Sequence, residues 1–308
     1  MAVFVIGSMN IDMFFDVDHF VRAKETLLPD RCEVLPGGKG LNQACACSKA
    51  GAKTFMAGKI GSDRKILLDA LNQARVDARF VQIDENDMSG RAIIQRDPSG
   101  ENCILLVPGL NHALECEDFE NVLEKIGEND IVLLQNEISN LCVLAKLLKE
   151  KGAFVVFNPA PVTDSIPKDL SFVSILVVNE VEIEQLLSKT GDPKKLCEEW
   201  LGSYPDSSIV LTLSNHGSMF ANRNQMLFMP SFPVNAIDTT GAGDTYIGYF
   251  CALLDQGSEI ESALQFASAA AALSVTRAGA ATSIPERKEV EALIEKSDIL
   301  CQRANQMV

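Results

Sequence analysis

Positive charge is scarce in this sequence. Its 27 Lys and Arg residues face 42 Asp and Glu, a net charge of −15. Nucleic-acid binders carry a basic face, so that class has no support. An acidic chain can hold an anionic nucleotide only through local donors, not through its overall field. No apolar run is long enough to span a bilayer. The opening "MAVFVIGSMNID" carries no basic leader, so neither a signal peptide nor a membrane partner is expected. Histidine is limited to His19, His112 and His216, and none lies near the lone C-x-C of Cys45 and Cys47. The nine cysteines are scattered and form no C-x-x-C pair. This reads as a reduced, cytoplasmic protein without structural zinc. There are no repeats, low-complexity tracts or long linkers. The 308 residues, 47% hydrophobic, suit one large α/β domain with an appendage.

The rhythm of the chain supports that class. "AVFVIGS" (2–8) and "TFMAGKIG" (54–61) read as buried strands, each followed by a helix, the first in "GLNQACACSKAG" and the second over about 63–75. From residue 130 on, "DIVLLQ", "AFVVFN", "SILVVN" and "SSIVLTL" are near-continuous apolar runs. Helices around 139–151, 180–189 and 193–202 separate them. Strands buried on both faces and alternating with helices imply a parallel sheet covered on both sides. The chain is mostly helical from Gly243. Near the start the pattern differs. "DMFFDVD" and "DRCEVL" alternate, and "GRAIIQRDPSGENCILLVPG" (90–109) is a hairpin about a Pro-Ser-Gly turn. These pieces form a small separate sheet.

Ligands of open parallel sheets bind at the carboxyl ends of strands. Asn10, Asp12, Glu137, Asn158, Asn179 and Thr212 fall there, and such amides and carboxylates suit hydroxyl groups. As single residues they could equally be strand ends and helix caps. "PGGKGLNQA" puts glycines about Lys39 before a helix, with Asn42 at the helix start in reach of a ligand hydroxyl. This loop is neither a Walker A nor a G-x-G-x-x-G motif. "DTTGAGDTYIGYF" holds a glycine turn between Asp238 and Asp244. The N–H groups of Gly241, Ala242 and Gly243 at a helix start attract an anion. Asp244 beside them can take a proton from a hydroxyl nucleophile during phosphoryl transfer. Asp238 either coordinates a cation or holds the loop.

Seven motifs occur in order: "GSMNID", "GGKGLNQA", "NPAP", "NEVE", "TLSNHG", "DTTGAGDTY" and "AAAALSVTRAGAATSIP". Together they resemble the ribokinase-like, phosphofructokinase-B-type carbohydrate kinases along essentially the whole chain. The resemblance implies a single domain over 1–308. Its fold would be a three-layer αβα sandwich with a mostly parallel central sheet. A β-sheet lid, with strands at about 13–18, 31–36, 90–96 and 102–108, would also form a homodimer. Asp244 matches the catalytic base, and Gly241, Ala242 and Gly243 match the anion hole. Asn10, Asp12, Gly38, Lys39, Gly40, Asn42 and Glu137 match positions around the sugar. Asn179 and Glu182 match the N-x-x-E motif near magnesium and the phosphates of ATP. Thr212, Leu213, Ser214, Asn215, His216 and Gly217 match the nucleotide loop, and Ser268 a position near the adenine. Asp238, Thr240, Ser274, Arg277, Gly279 and Ser283 match a loop that binds a monovalent cation, potassium (K+), several through backbone carbonyls. Arg277 offers an alternative: its guanidinium could pair with Asp238 and leave no room for an ion. The implied activity is ATP- and Mg2+-dependent phosphorylation of the primary 5-hydroxyl of D-ribose, giving ribose 5-phosphate and ADP. A kinase for another sugar or a nucleoside, and a non-catalytic sugar-binding regulator, are the other readings.

Overall fold

The computed structural model describes residues 1–99 and 101–306, so Gly100 of the Pro-Ser-Gly turn lies outside the described residues. In chain order the strands are β1 (Val3–Ile6), β2 (Asn10–Asp16), β3 (Arg31–Gly37), β4 (Thr54–Ile60), β5 (Asp77–Ile83), β6 (Gly90–Arg96) and β7 (Asn102–Val107). They continue as β8 (Ile131–Gln135), β9 (Phe154–Asn158), β10 (Ile175–Asn179), β11 (Ser208–Thr212), β12 (Gly217–Ala221) and β13 (Met226–Pro230). The helices are α1 (Lys39–Lys49), α2 (Lys65–Gln73), α3 (Glu120–Lys125), α4 (Leu141–Lys151), α5 (Glu180–Leu187), α6 (Pro193–Ser203), α7 (Ala242–Asp255), α8 (Ile260–Ser274) and α9 (Arg287–Gln306).

Nine strands make the central sheet, ordered β13–β12–β11–β10–β9–β8–β1–β4–β5. The seven from β11 to β5 run parallel, and β12 and β13 add an antiparallel edge. The apolar runs are explained by their two buried faces. Val3, Val5, Ile131, Leu133, Val156, Ile175, Val177 and Val210 point into one core with α1, α2, α7, α8 and α9. Their neighbours Phe4, Ile6, Val132, Leu134, Val155, Phe157, Leu176, Val178, Ile209 and Leu211 point into the other, with α3 to α6. This is the expected αβα sandwich. Two features were absent from the sequence reading: β5, at one edge, and the β12–β13 hairpin at the other.

The second sheet is ordered β3–β2–β6–β7, with β2 and β6 parallel and the other pairs antiparallel. Its own core is small: Phe14, Ala92 and Ile94, with Leu35 against them. Ile94 is thus covered within the chain. Every residue of β7 is exposed. Among the described residues, no helix is long and apolar enough to cross a membrane.

Candidate active site

The geometry of the site begins with the packing of α7 on α1. A Cβ at Gly248 would lie 2.4 Å from the Ala46 Cβ and 2.7 Å from the Gln43 carbonyl oxygen, so only glycine permits this approach. It brings Asp244, in the first turn of α7, over the start of α1. Asn42 Nδ2 donates to Asp244 Oδ2 at 3.0 Å, and Gln43 Nε2 donates to Oδ1 at 2.9 Å. Asn42 was expected to face a ligand. Its nitrogen serves Asp244 instead, while its Oδ1 is buried and takes no partner among the described residues. Gln43 was missed by sequence reasoning; its only signal is a large amide inside a helix face of small residues.

Beside Asp244 lies an acidic group from three other segments. Asp12, near the start of β2, is buried. Burial raises its carboxyl to about 7, Glu137 and Asp244 add to the rise, and Lys39 opposes it. Glu137, just past β8, accepts from Ser8 Oγ at 2.5 Å and from the Lys39 N–H at 3.3 Å, and its Oε1 lies 3.8 Å from Lys39 Nζ. Burial alone would lower Lys39, but the carboxylates of Asp244, Glu137, Glu182 and Asp12 outweigh it and hold the ammonium charged. The GGKG loop reaches this place because Gly38 (φ 89°) and Gly40 press on the chain after β1; a Cβ on Gly40 would lie 2.6 Å from the Ser8 nitrogen. Asn10 is oriented by Asn111, whose Nδ2 donates to its Oδ1 at 2.7 Å. Ser8 and Asn111 are also residues the sequence reading did not single out.

A cleft of about 200 Å³ runs from Lys39 and Asp244 past Gly241, Gly243, Asn158, Asn179, Glu182 and Thr212. A Cβ on Gly243 would meet nothing within 4 Å, so the room is open to an incoming group. The expected anion hole needs one correction. The Ala242 N–H donates to Thr239 O at 3.2 Å, because the chain turns there into the helix, so it is not available. The N–H groups of Gly241 and Gly243 have no protein acceptor among the described residues. Asn179 and Glu182 form a reciprocal cap on α5, at 2.8 and 3.0 Å. Burial raises the Glu182 carboxyl, although the Asn179 N–H and Lys39 oppose this.

These features are an aspartate with fixed orientation, unpaired N–H groups and a hydroxyl-matching acidic pocket. The pfkB family carbohydrate kinase profile matches residues 2–287. The chain belongs to this family. Carbohydrate kinases are phosphotransferases with an alcohol acceptor, and so is this protein. It is 35% identical to the ribokinase of Bacillus subtilis over 94% of this chain and 98% of that one. Its fold is similar to the ribokinase of Thermotoga maritima, with a TM-score of 0.88, 35% identity and coverage of 96% and 99%. It is also similar to an Arabidopsis thaliana ribokinase complexed with ribose and ATP, with a TM-score of 0.85, 29% identity and coverage of 95% and 99%.

The other expected residues of this carbohydrate kinase fall into two groups. Thr212 ends β11 at the cleft, and Leu213 to Gly217 follow it without lining the cleft itself, with Ser214, Asn215 and His216 exposed. Ser268 is buried on α8, gives its hydroxyl to Pro230 O at 3.1 Å and does not line the cleft. The second group is the loop behind the anion hole. Asp238 Oδ1 accepts from the Thr240 N–H and hydroxyl, and Oδ2 from the Gly279 N–H at 2.9 Å. Burial pushes its carboxyl up, but the bonds from Thr240 and Gly279 prevail and hold it below the usual range. Arg277 pairs with Glu289, not Asp238, so the alternative in which a guanidinium fills this space is overturned. Ser274 and Ser283 are buried and donate to Ala271 O and Ala280 O. A larger cavity, about 870 Å³, lies at the opposite, amino ends of β8 to β11, remote from all these groups.

Proposed function

We propose that this kinase transfers the γ-phosphoryl group of ATP to the primary 5-hydroxyl of D-ribose, giving ribose 5-phosphate and ADP. The observation that carries this reading is Asp244, whose two oxygens are each fixed by one amide beside open N–H groups. The likeness to a ribokinase complexed with ribose and ATP supports the choice of sugar and nucleotide. Asn10, Asp12, Gly38, Lys39, Gly40, Asn42 and Glu137 hold the sugar; their carboxylates and amides match a ligand whose surface is mostly hydroxyl. Asp244 takes the hydroxyl proton. The N–H groups of Gly241 and Gly243 hold charge on the transferring group. Thr212, with the turn Leu213 to Gly217, borders the nucleotide.

Magnesium, when bound, neutralises charge on the phosphates, and Glu182 with Asn179 supplies hard oxygen donors at that end of the cleft. A monovalent cation, potassium, fits behind the anion hole. Asp238 is ionised there, and the carbonyls of Thr240, Arg277 and Gly279 accept no hydrogen bond among the described residues. The four-stranded sheet serves as the lid, and its exposed β7 as the seam of a homodimer. Eight of the nine cysteines, Cys32, Cys45, Cys47, Cys103, Cys116, Cys142, Cys197 and Cys251, are free thiols, which fits the reducing cytoplasm.

The test is ADP release with MgATP and potassium across D-ribose, 2-deoxy-D-ribose, other pentoses, hexoses and nucleosides. D-ribose is expected to give the highest kcat/KM. A nucleoside or hexose giving a higher value would replace this reading.

A further inference from the structure

We infer that Gln43, backed by Gln135, is a positioning residue for Asp244. The inference rests on the reading of Asp244 as the base. Gln43 and Gln135 are both fully buried. Gln43 Nε2 donates to Asp244 Oδ1 at 2.9 Å, and Gln135 Nε2 donates to Gln43 Oε1 at 2.6 Å. Asn158 stands behind Gln43, with its Oδ1 3.5 Å from Nε2, and is itself anchored by donating to Val177 O at 3.0 Å. The carboxyl ends of β8 and β9 thus converge on one amide of α1.

The polarity of this relay has one direction. An ionised carboxylate only accepts hydrogen bonds. Gln43 must therefore turn its NH2 toward Asp244 and its carbonyl away. That carbonyl in turn requires the NH2 of Gln135. The far end of Gln135 shows what is given up: its Oε1 is buried without a partner among the described residues. It sits where a Cβ of residue 7 would lie, 1.9 Å away, and Gly7 leaves the space. An unpaired buried acceptor is destabilising. A core serving only to join α1 to the sheet would be more stable with apolar side chains here.

The chemical consequence is orientation. With Asn42 on one oxygen and Gln43 on the other, the plane of the Asp244 carboxylate is fixed. Each oxygen keeps a second lone pair for the hydroxyl proton. A base displaced by about 1 Å can lose roughly a hundredfold in rate. Gln43 lies behind Asp244, so its loss acts on turnover and not on sugar binding.

The experiment compares wild type, Gln43→Met, Gln135→Met and Asp244→Asn by steady-state kinetics with D-ribose and MgATP, with melting temperature as a fold control. Gln43→Met is expected to lower kcat by roughly thirtyfold or more, with both KM values within about threefold of wild type. Gln135→Met, which leaves the Gln43 amide free to rotate, is expected to lower kcat less, in the same pattern. A Gln43→Met kcat within threefold of wild type, or a loss carried mainly by KM, overturns the inference while an inactive Asp244→Asn leaves the base reading intact. A fully active Asp244→Asn overturns both. If Gln43→Met does not fold, Gln135→Met decides: unchanged kcat overturns the inference, and a lower kcat at constant KM supports it.

Discussion

The two sheets use similar residues to opposite ends. In the nine-stranded sheet, Val3–Ile6 is buried on both faces between two layers of helices. In the four-stranded sheet, Asn102–Val107 carries Ile, Leu, Leu and Val in succession, and each is between 43% and 63% exposed. An apolar strand therefore does not tell by itself what covers it. The inner strands of the central sheet are covered on both faces within the chain, and the residues at their carboxyl ends are consequently fixed in place. The smaller sheet has one covered face and an open edge, which suits an element that moves over a ligand or meets a second subunit.

Breaking the rigid side gives the largest expected effect. Asp244→Asn keeps the size of the side chain and removes the base, and kcat is expected to fall by roughly 10² to 10⁴. Ribose binding, measured by calorimetry, should survive. Turnover near the wild-type level would show that no proton passes through this residue.

The open side is probed by Leu105→Lys. Placing a charge on β7 is expected to weaken a homodimer by about 2 kcal/mol or more, some thirtyfold in Kd, with kcat changed far less. Light scattering over a concentration series reads this directly. A wild type that stays monomeric at all concentrations would remove the dimer, and with it this contrast between the sheets.

Asp238 sharpens the comparison from beside the central sheet, since its bonds run to Thr240 and Gly279 next to the glycine turn of α7. Rates in sodium, potassium and tetramethylammonium buffers at fixed ionic strength should differ, with potassium giving roughly tenfold activation, about 1.4 kcal/mol. Asp238→Ala should abolish that difference. Equal wild-type rates in the three salts would rule out a working cation site.

How much of this was legible follows the same division. Seven parallel strands buried in register leave long apolar runs, and six of them were visible; β5, half-buried at one edge, was not. Of the β12–β13 hairpin, β13 escaped for the same reason, since Met226–Pro230 is nowhere buried; β12 is buried but short, with few branched apolar residues in "GSMFA". In the site, the glycine turn announced Asp244 because backbone and side chain there are adjacent in sequence. Gln43 and Gln135 act through another residue, at separations of 201 and 92 positions. No local pattern encodes such contacts. The free Ala242 N–H was expected from spacing, but the turn into the helix consumes it.

The last effect, on stability and not on rate, concerns Asp12, where the chain passes from the central sheet to the smaller one within a few residues. Its carboxyl ionises near 7 in the folded protein, against 3.8 for an ordinary aspartate, chiefly because it is buried and then because Glu137 and Asp244 are close. The folded state therefore holds this proton more tightly than the unfolded chain does. Between about pH 4 and pH 7 folding stability must fall as pH rises, and above pH 7 this contribution is constant. Each unit of difference corresponds to about 1.4 kcal/mol. Asp12→Asn removes the titration while keeping the shape. The variant should lose ribose affinity, because the amide cannot accept from hydroxyls as a carboxylate does. In the absence of sugar it should melt higher than wild type at pH 8, by about 2 to 4 °C for each kcal/mol recovered. At pH 4 the advantage should vanish, since Asp12 is then protonated in the folded protein and still close to neutral in its environment. Other titrating groups cancel in the difference between the two proteins. Melting curves of both at pH 4, 6 and 8 make the test, and a difference that does not grow with pH would mean that Asp12 is not held neutral by its burial.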